Sequence, residues 1–260
     1  MKLAITGKGG TGKTTLAGIL AHFLNRRGFK VLAVDADPDA NLASAIGLSP
    51  EQAASIIPVS EQRELIKERT GANPKEFGQL FKMNPTVGDI PERFCVTFRG
   101  IKLLVMGAVR KGGAGCACPE SVLLKSLLSE ILLARGEAVV VDMEAGIEHL
   151  GRATAGSIDR MLIVVEPGQR SLETARKIMR MGKEIGIRHF GIVGNKIRTE
   201  EQRLWLKRQL PGELVAGMIS YSDIIGDADL SPKPLIDIMD RKVRREFDSV
   251  CESVIGLNTP

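Results

Sequence analysis

Residues 1–15 read MKLAITGKGGTGKTT, and the interpretation of the chain starts there. Leu3 to Thr6 is a short apolar run of strand character. It leads into Gly7-Lys8-Gly9-Gly10-Thr11-Gly12-Lys13-Thr14-Thr15, and the helical pattern LAGILAHFLNRR follows at once. This is G-x-x-x-x-G-K-[ST] in the strand, glycine loop, helix setting that the motif requires. The chemistry accounts for the residue types. A loop that cradles a polyphosphate turns its backbone N–H groups inward, and glycines permit the backbone angles and the close approach this needs. The cradle runs from Gly9 through Gly10, Thr11, Gly12, Lys13 and Thr14 to Thr15. The helix beginning near Lys13 points its positive dipole end at the same anion. Lys13 then reaches the β and γ oxygens as a point charge, and the Thr14 hydroxyl is placed to ligate Mg²⁺.

Length and composition narrow the class. At 260 residues the chain accommodates one α/β domain or two small ones. A hydrophobic content of 43% with mean hydropathy near zero describes a folded globule, not a disordered chain. No apolar run approaches a membrane span, and the first strand begins at Lys2, so the expected location is the cytoplasm. Four cysteines are too few for a disulfide framework and read as thiols or metal ligands. The net charge of +5 suits nucleic acid, anionic lipid or a nucleotide site. With one Trp and one Tyr, the stacking residues of a single-strand binder are scarce.

After the loop, Thr14 to Arg27 reads as an amphipathic helix closed by Gly28. Lys30 to Val34 is a second buried strand that delivers Asp35-Ala36-Asp37-Pro38-Asp39-Ala40-Asn41 at its carboxyl end. Ligands of open α/β sheets sit outside the carboxyl ends of the strands, so these acids face the crevice of the phosphate loop. Asp35 and Asn41 read as second-sphere neighbours of Mg²⁺. Residues 49–100 mix short helical pieces with Pro and Gly. They read as an insertion, either a lid or partner surface on the nucleotide face or plain packing, and Cys95 within them as a half-buried thiol.

Ile101 to Met106 is another strand, and it runs into GAVRKGGAGCACPE, residues 107–120. KGGAGC echoes KGGTGK, but Cys116 stands where the lysine is needed, which rejects a second nucleotide loop. The informative feature is Cys116-x-Cys118. In an extended segment two such thiolates lie on one face and can share a metal, yet a tetrahedral site wants four ligands. A two-fold axis supplies them, since an isologous interface places the same pair opposite itself and makes a Cys₄ site. Arg110 and Lys111 would favour the thiolates. Zn²⁺, Ni²⁺ and Cu(I) all suit sulfur ligands.

Pro119 to Arg135 reads as a helix, and Ala138 to Val141 as the most apolar strand, closing on Asp142. A run of Val ending in Asp holds Mg²⁺ directly or through water. Next comes MEAGIEH, residues 143–149, in which Gly146 can offer a γ-phosphate N–H and a hinge. His149 reads as a metal ligand, an interface residue or a solvated helix histidine. Strands over Asp159 to Glu166 and Phe190 to Gly194 flank a helix carrying Arg176, Lys177, Arg180 and Lys183. That stripe is a solvated face or a DNA contact. Residues 235–256 read as an amphipathic docking helix; its acids argue against a basic membrane-targeting helix, and Cys251 falls on its apolar positions.

Lys8, a second lysine in the loop, is superfluous for one site in one chain. It resembles the signature lysine of the deviant-Walker ATPases, the group of the ParA/MinD partition and positioning ATPases and the nitrogenase iron protein. With GGxxCxC, an apolar helix and VVVDMEAGIEHL, the chain more closely resembles the nickel-insertion accessory ATPases of carbon monoxide dehydrogenase and acetyl-CoA synthase (the CooC/AcsF type). The resemblance implies one domain over residues 1–260, α/β and doubly wound, with a mostly parallel sheet and a deviant Walker A loop. It implies ATP hydrolysis with Mg²⁺ held by Thr14, Asp37 and Asp142. Lys8, Lys13 and Asp37 would be the catalytic set, Lys8 reaching the partner's nucleotide across an ATP-dependent homodimer and Asp37, in switch I, orienting the attacking water. Gly146 would lie in switch II. Asn195 would bond the adenine edge while Lys196 packs on the ring. Met218 to Asp223 would be a second base-contacting loop, with Ser220 where many relatives have proline. The cargo would be Ni²⁺ or Zn²⁺ on Cys116 and Cys118, delivered to a nickel–iron–sulfur client enzyme without nucleic acid or membrane. The alternatives are a positioning ATPase on DNA or membrane, and a reductase like the nitrogenase iron protein.

Overall fold

The computed structural model describes every residue except 75, 77, 108–117, 135–136, 146–149, 151, 211–214, 229–230, 232 and 257–260. Among the described residues, eight strands are β1 (Lys2–Gly7), β2 (Val31–Ala36), β3 (Val96–Phe98), β4 (Ile101–Val105), β5 (Ala138–Met143), β6 (Arg160–Val165), β7 (Phe190–Ile197) and β8 (Val215–Ser220). They form one sheet in the order β3-β4-β2-β5-β1-β6-β7-β8. Each neighbouring pair is parallel except β3–β4 at the edge. The sequence gives the reason. Runs such as VLAVDA, AVVVDM and RMLIVV are buried almost end to end, as parallel strands covered on both faces must be. Strands earlier than β6 lie on one side of β1 and those from β6 onward on the other. That reversal opens the ligand crevice beside the carboxyl end of β1, where the glycine loop sits.

Helices α1 (Lys13–Arg26), α2 (Leu42–Ile46), α3 (Pro50–Ala54), α4 (Arg63–Thr70), α5 (Ile90–Phe94), α6 (Pro119–Ala134), α7 (Arg152–Gly156), α8 (Gln169–Ile185), α9 (Glu200–Gln209), α10 (Asp223–Asp227), α11 (Leu235–Ile238) and α12 (Arg241–Gly256) cover both faces. Leu3 and Ile5 of β1 pack with Leu16, Leu20 and Leu24 of α1 and Phe247 of α12. Ala4 points the other way, into a core with Leu123, Leu127 and Ile131 of α6 and Leu172 and Ile178 of α8. One strand thus feeds two cores because its side chains alternate.

Three sequence expectations are refined. Within residues 49–100, Val59, Leu65, Ile66, Val87 and Ile90 are buried on the α6 side of the sheet, while Ala53, Ile56, Val96 and Phe98 pack against the α1 side. The Ser60 N–H donates to the Met106 carbonyl at 3.0 Å, fastening this segment to the end of β4. Met218–Ser220, read as loop, belongs to β8, and the turn begins at Tyr221. Gly217 hid this strand by interrupting its pattern; a Cβ there would lie 2.6 Å from Val250, so the glycine lets α12 close on the sheet.

The third concerns 235–256, which is two helices. Asp240 breaks the stretch and caps α12, its Oδ1 accepting from the Val243 N–H at 2.8 Å. Val243, Phe247, Val250, Cys251 and Val254 then face inward against β8 and α1. Burial pushes the Cys251 thiol up to about 12, leaving it inert. Phe247 is among the largest fully buried side chains. Phe247→Ala is expected to cost about 3–5 kcal/mol in chemical denaturation, while Leu80→Ala, at a position 97% exposed, should shift stability by less than about 0.5 kcal/mol.

Candidate functional site

The glycine loop leaves β1 and ends at α1. The Thr11 hydroxyl and N–H both donate to the Lys8 carbonyl, at 2.8 and 3.2 Å, which closes the loop on itself. Gly12 caps α1 with φ +93°, a left-handed conformation, and a Cβ there would stand 2.4 Å from Asn195 Nδ2. Any other residue at 12 is therefore both strained and blocked. A Cβ on Gly9 or Gly10, by contrast, would meet nothing within 4 Å. The open concavity lies on that side. The first turn of α1 has no side-chain cap and no acid, so its N–H groups remain for an anion.

Asn195 and Lys196 hold the loop from the end of β7. Asn195, nearly fully buried, donates from Nδ2 to the Thr11 carbonyl at 2.8 Å and accepts at Oδ1 from the Lys196 N–H. Lys196 Nζ donates to the Gly10 carbonyl at 2.6 Å and pairs with Glu166 at 3.6 Å. The polar groups of both residues, expected from sequence to contact the base, thus also support the glycine loop.

At the centre of the site Lys13, 8% exposed, lies 3.6 Å from Asp37 Oδ2. Asp35 and Asp142 pair in register on the neighbouring strands β2 and β5, and both are fully buried. Burial raises the Asp35 carboxyl to about 6 against two backbone hydrogen bonds that lower it. Burial likewise pushes Asp142 to about 7, with Asp35 and Asp37 adding repulsion. The Thr14 hydroxyl and Lys13 draw the Asp142 value down, yet neither Asp142 oxygen completes a hydrogen bond of ordinary geometry. A buried carboxylate with both oxygens orphaned, beside a threonine hydroxyl and two further carboxylates of which Asp37 pairs with Lys13, is short of positive charge. Hard oxygen donors in that setting fit Mg²⁺.

Lys8 is half-exposed, and no carboxylate among the described residues pairs with it. Cys116, Gly146, His149, Arg110 and Lys111 lie outside the described residues. Cys118 is half-buried just before α6, and its carbonyl accepts from the Val122 N–H. Burial, then Glu120, raise its thiol above the ordinary value. Among the described residues no three metal-ligating side chains converge. Sequence reasoning missed Thr6, whose hydroxyl donates to the Glu144 carbonyl at 2.7 Å and ties the end of β1 to the segment after β5. A threonine closing a strand carries no signal for that contact.

Comparison with known proteins places the chain in a family. Residues 2–235 match the model of the CobQ/CobB/MinD/ParA nucleotide binding domain. The chain is 51% identical over 199 residues to the carbon monoxide dehydrogenase accessory protein CooC of Rhodospirillum rubrum, covering 76% of this chain and 75% of that protein. It is 42% identical over 260 residues to an uncharacterized ATP-binding protein of Methanocaldococcus jannaschii, covering 99% and 98%. Among solved structures, MinD in the MinC:MinD complex of Aquifex aeolicus shares the fold with a TM-score of 0.70 at 19% identity, covering 100% of this chain and 98% of that one.

A folded carboxyl value near 7 against 3.8 unfolded means that the folded state holds the Asp142 proton more tightly. Without nucleotide and metal, stability should therefore fall as pH rises from about 4 through about 7. Asp142→Asn removes that loss. Thermal melts in chelator should show the variant more stable than wild type at pH 8 by roughly 2–4 kcal/mol, with the gap closing toward pH 4.

Proposed function

The chain belongs to the CobQ/CobB/MinD/ParA family of nucleotide-binding domains and is an ATPase, and from that premise we propose that it is an ATP-driven metallochaperone of the cytoplasm. In this reading it dimerises on nucleotide, carries Ni²⁺ on Cys116 and Cys118 from both subunits, and serves carbon monoxide dehydrogenase or acetyl-CoA synthase. The observation that carries it is the 51% identity to CooC over three quarters of the chain, joined to a CxC pair in this sequence.

The site supports the nucleotide half of the reading. Lys13 and the uncapped first turn of α1 bind the β- and γ-phosphates, and Asn195 and Lys196 keep the loop in shape. Thr14, Asp37 and Asp142 would hold Mg²⁺, which neutralises the charge that develops on the phosphate oxygens. Asp37 orients the attacking water once Lys13 turns from it to the triphosphate. Lys8, with no carboxylate partner among the described residues, is available to reach the other subunit's nucleotide.

Cargo binding follows from symmetry. Two chains closed on ATP bring Cys116 and Cys118 to a two-fold axis and complete four sulfur ligands. Nucleotide and metal then favour the same dimer, so each raises the other's affinity by the same factor. A membrane role is less favoured, because the apolar face of α12 is covered by β8 and α1. Moreover, among the described residues no helix is long and apolar enough to span a bilayer.

The test is anaerobic metal analysis combined with sizing, with and without ATP. Wild type is expected to elute as a dimer with ATP and to hold about one metal ion per two chains. Cys116→Ser/Cys118→Ser should lose that metal and keep ATP affinity within about threefold. Undiminished metal uptake by the double variant would remove the cargo reading.

A further inference from the structure

Asp35 was read from sequence as a neighbour of Mg²⁺. Its surroundings indicate a different task. The side chain is fully buried at the end of β2, and both carboxylate oxygens are engaged by backbone. Oδ1 accepts from the Asp37 N–H at 3.3 Å and Oδ2 from the Leu42 N–H at 2.8 Å. These two amides bracket the excursion that carries Asp37. At its far end, Leu42 opens α2 and is itself fully buried, so the turn is pinned between a strand end and the core.

Within the turn the remaining contacts are local. The Asp37 carboxylate accepts from the Asp39 N–H at 3.1 Å, and the Asp37 carbonyl accepts from the Ala40 N–H at 3.0 Å. Ala40 adopts a left-handed conformation, φ +47°, which a non-glycine residue takes only where its surroundings impose it. The Asp37 side chain is met by Lys13 and the Asp39 N–H, and its backbone is placed by Asp35.

The residue type matters. Two N–H donors facing one short side chain require two acceptors, and only a carboxylate of this length supplies both. Asparagine would keep one acceptor and turn a donor toward the second amide. A buried carboxylate is a costly way to close a turn, since an apolar side chain of similar volume is often as stable. Its geometry earns the position.

We propose that Asp35 is a positioning residue for hydrolysis, its carboxylate fixing the turn so that Asp37 presents its own carboxylate to the attacking water. This rests on the reading of Asp37 given above, and the experiment separates the two. Steady-state hydrolysis, equilibrium ATP binding and thermal melts are measured on the full chain for wild type, Asp35→Asn, Asp35→Ala and Asp37→Asn. Asp35→Asn is expected to lower kcat at least tenfold, with ATP affinity and KM within about threefold and a melting temperature only modestly below wild type. Asp35→Ala should fall as far in kcat if it folds; if it does not fold, Asp35→Asn alone decides.

A role confined to holding the fold would instead lower the melting temperature and weaken ATP binding together with kcat. That result overturns the proposal, as does a wild-type kcat in Asp35→Asn when Asp37→Asn is inactive. Wild-type hydrolysis by Asp37→Asn would overturn the Asp37 reading first and this one with it, while unimpaired ATP binding in all variants would leave the nucleotide site itself standing.

Discussion

The site depends on an imbalance of charge at the carboxyl ends of β1, β2 and β5. Asp35, Asp37 and Asp142 crowd there with Lys13 as the one cation in range of their carboxylates among the described residues. Removing carboxylates from water is costly unless each finds a partner. Asp35 finds two backbone amides and Asp37 finds Lys13 and an amide. Asp142 finds none of ordinary geometry. The protein therefore holds, next to its phosphate loop, a preformed deficit that a divalent cation with a triphosphate would relieve. Lys13, the present partner of Asp37, would on the proposed function also be the ligand of the phosphates. Whatever occupies the loop and draws Lys13 toward itself must also free Asp37.

The strands that build this centre were legible because parallel strands buried on both faces are written as unbroken apolar runs. VLAV ending in Asp35 and AVVV ending in Asp142 are hard to mistake, and the glycine loop between β1 and α1 is equally plain. What escaped lies where the pattern depends on partners distant in sequence. β8 was hidden because Gly217 makes room for Val250, 33 residues later. β3 is only three residues of edge strand paired antiparallel to β4. The break at Asp240 is a capping event inside what reads as one amphipathic period.

The roles of individual polar residues were less legible than their positions. Asn195 and Lys196 were found from sequence at the end of a strand, as placed by the structure. The structure adds a use of its own, because the Asn195 amide is within reach of a loop carbonyl 184 positions away, a fact that only the sheet order creates. Gly12 shows the same dependence from the other side. Its identity looks like loop chemistry, yet the space it leaves is filled by Asn195. Two residues that seem to belong to separate motifs are one packing unit.

Each segment around the loop is held by a different buried polar contact, and this bears on how nucleotide could alter shape. Asp35 ties the Asp37 turn to β2, Thr6 ties Glu144 to β1, and Asn195 with Lys196 ties the loop to β7. These contacts lie at the carboxyl ends of β1, β2 and β7, so the loop, the Asp37 turn and Glu144 after β5 are all tied to the one sheet. A change at the phosphates can then propagate through the side chain of Lys13 and the carboxylate of Asp37, which face each other across the site. A rigid base with few mobile members is what a two-state switch needs, because a ligand shifts an equilibrium only by the difference in its contacts between the two states. A soft base would absorb that difference locally.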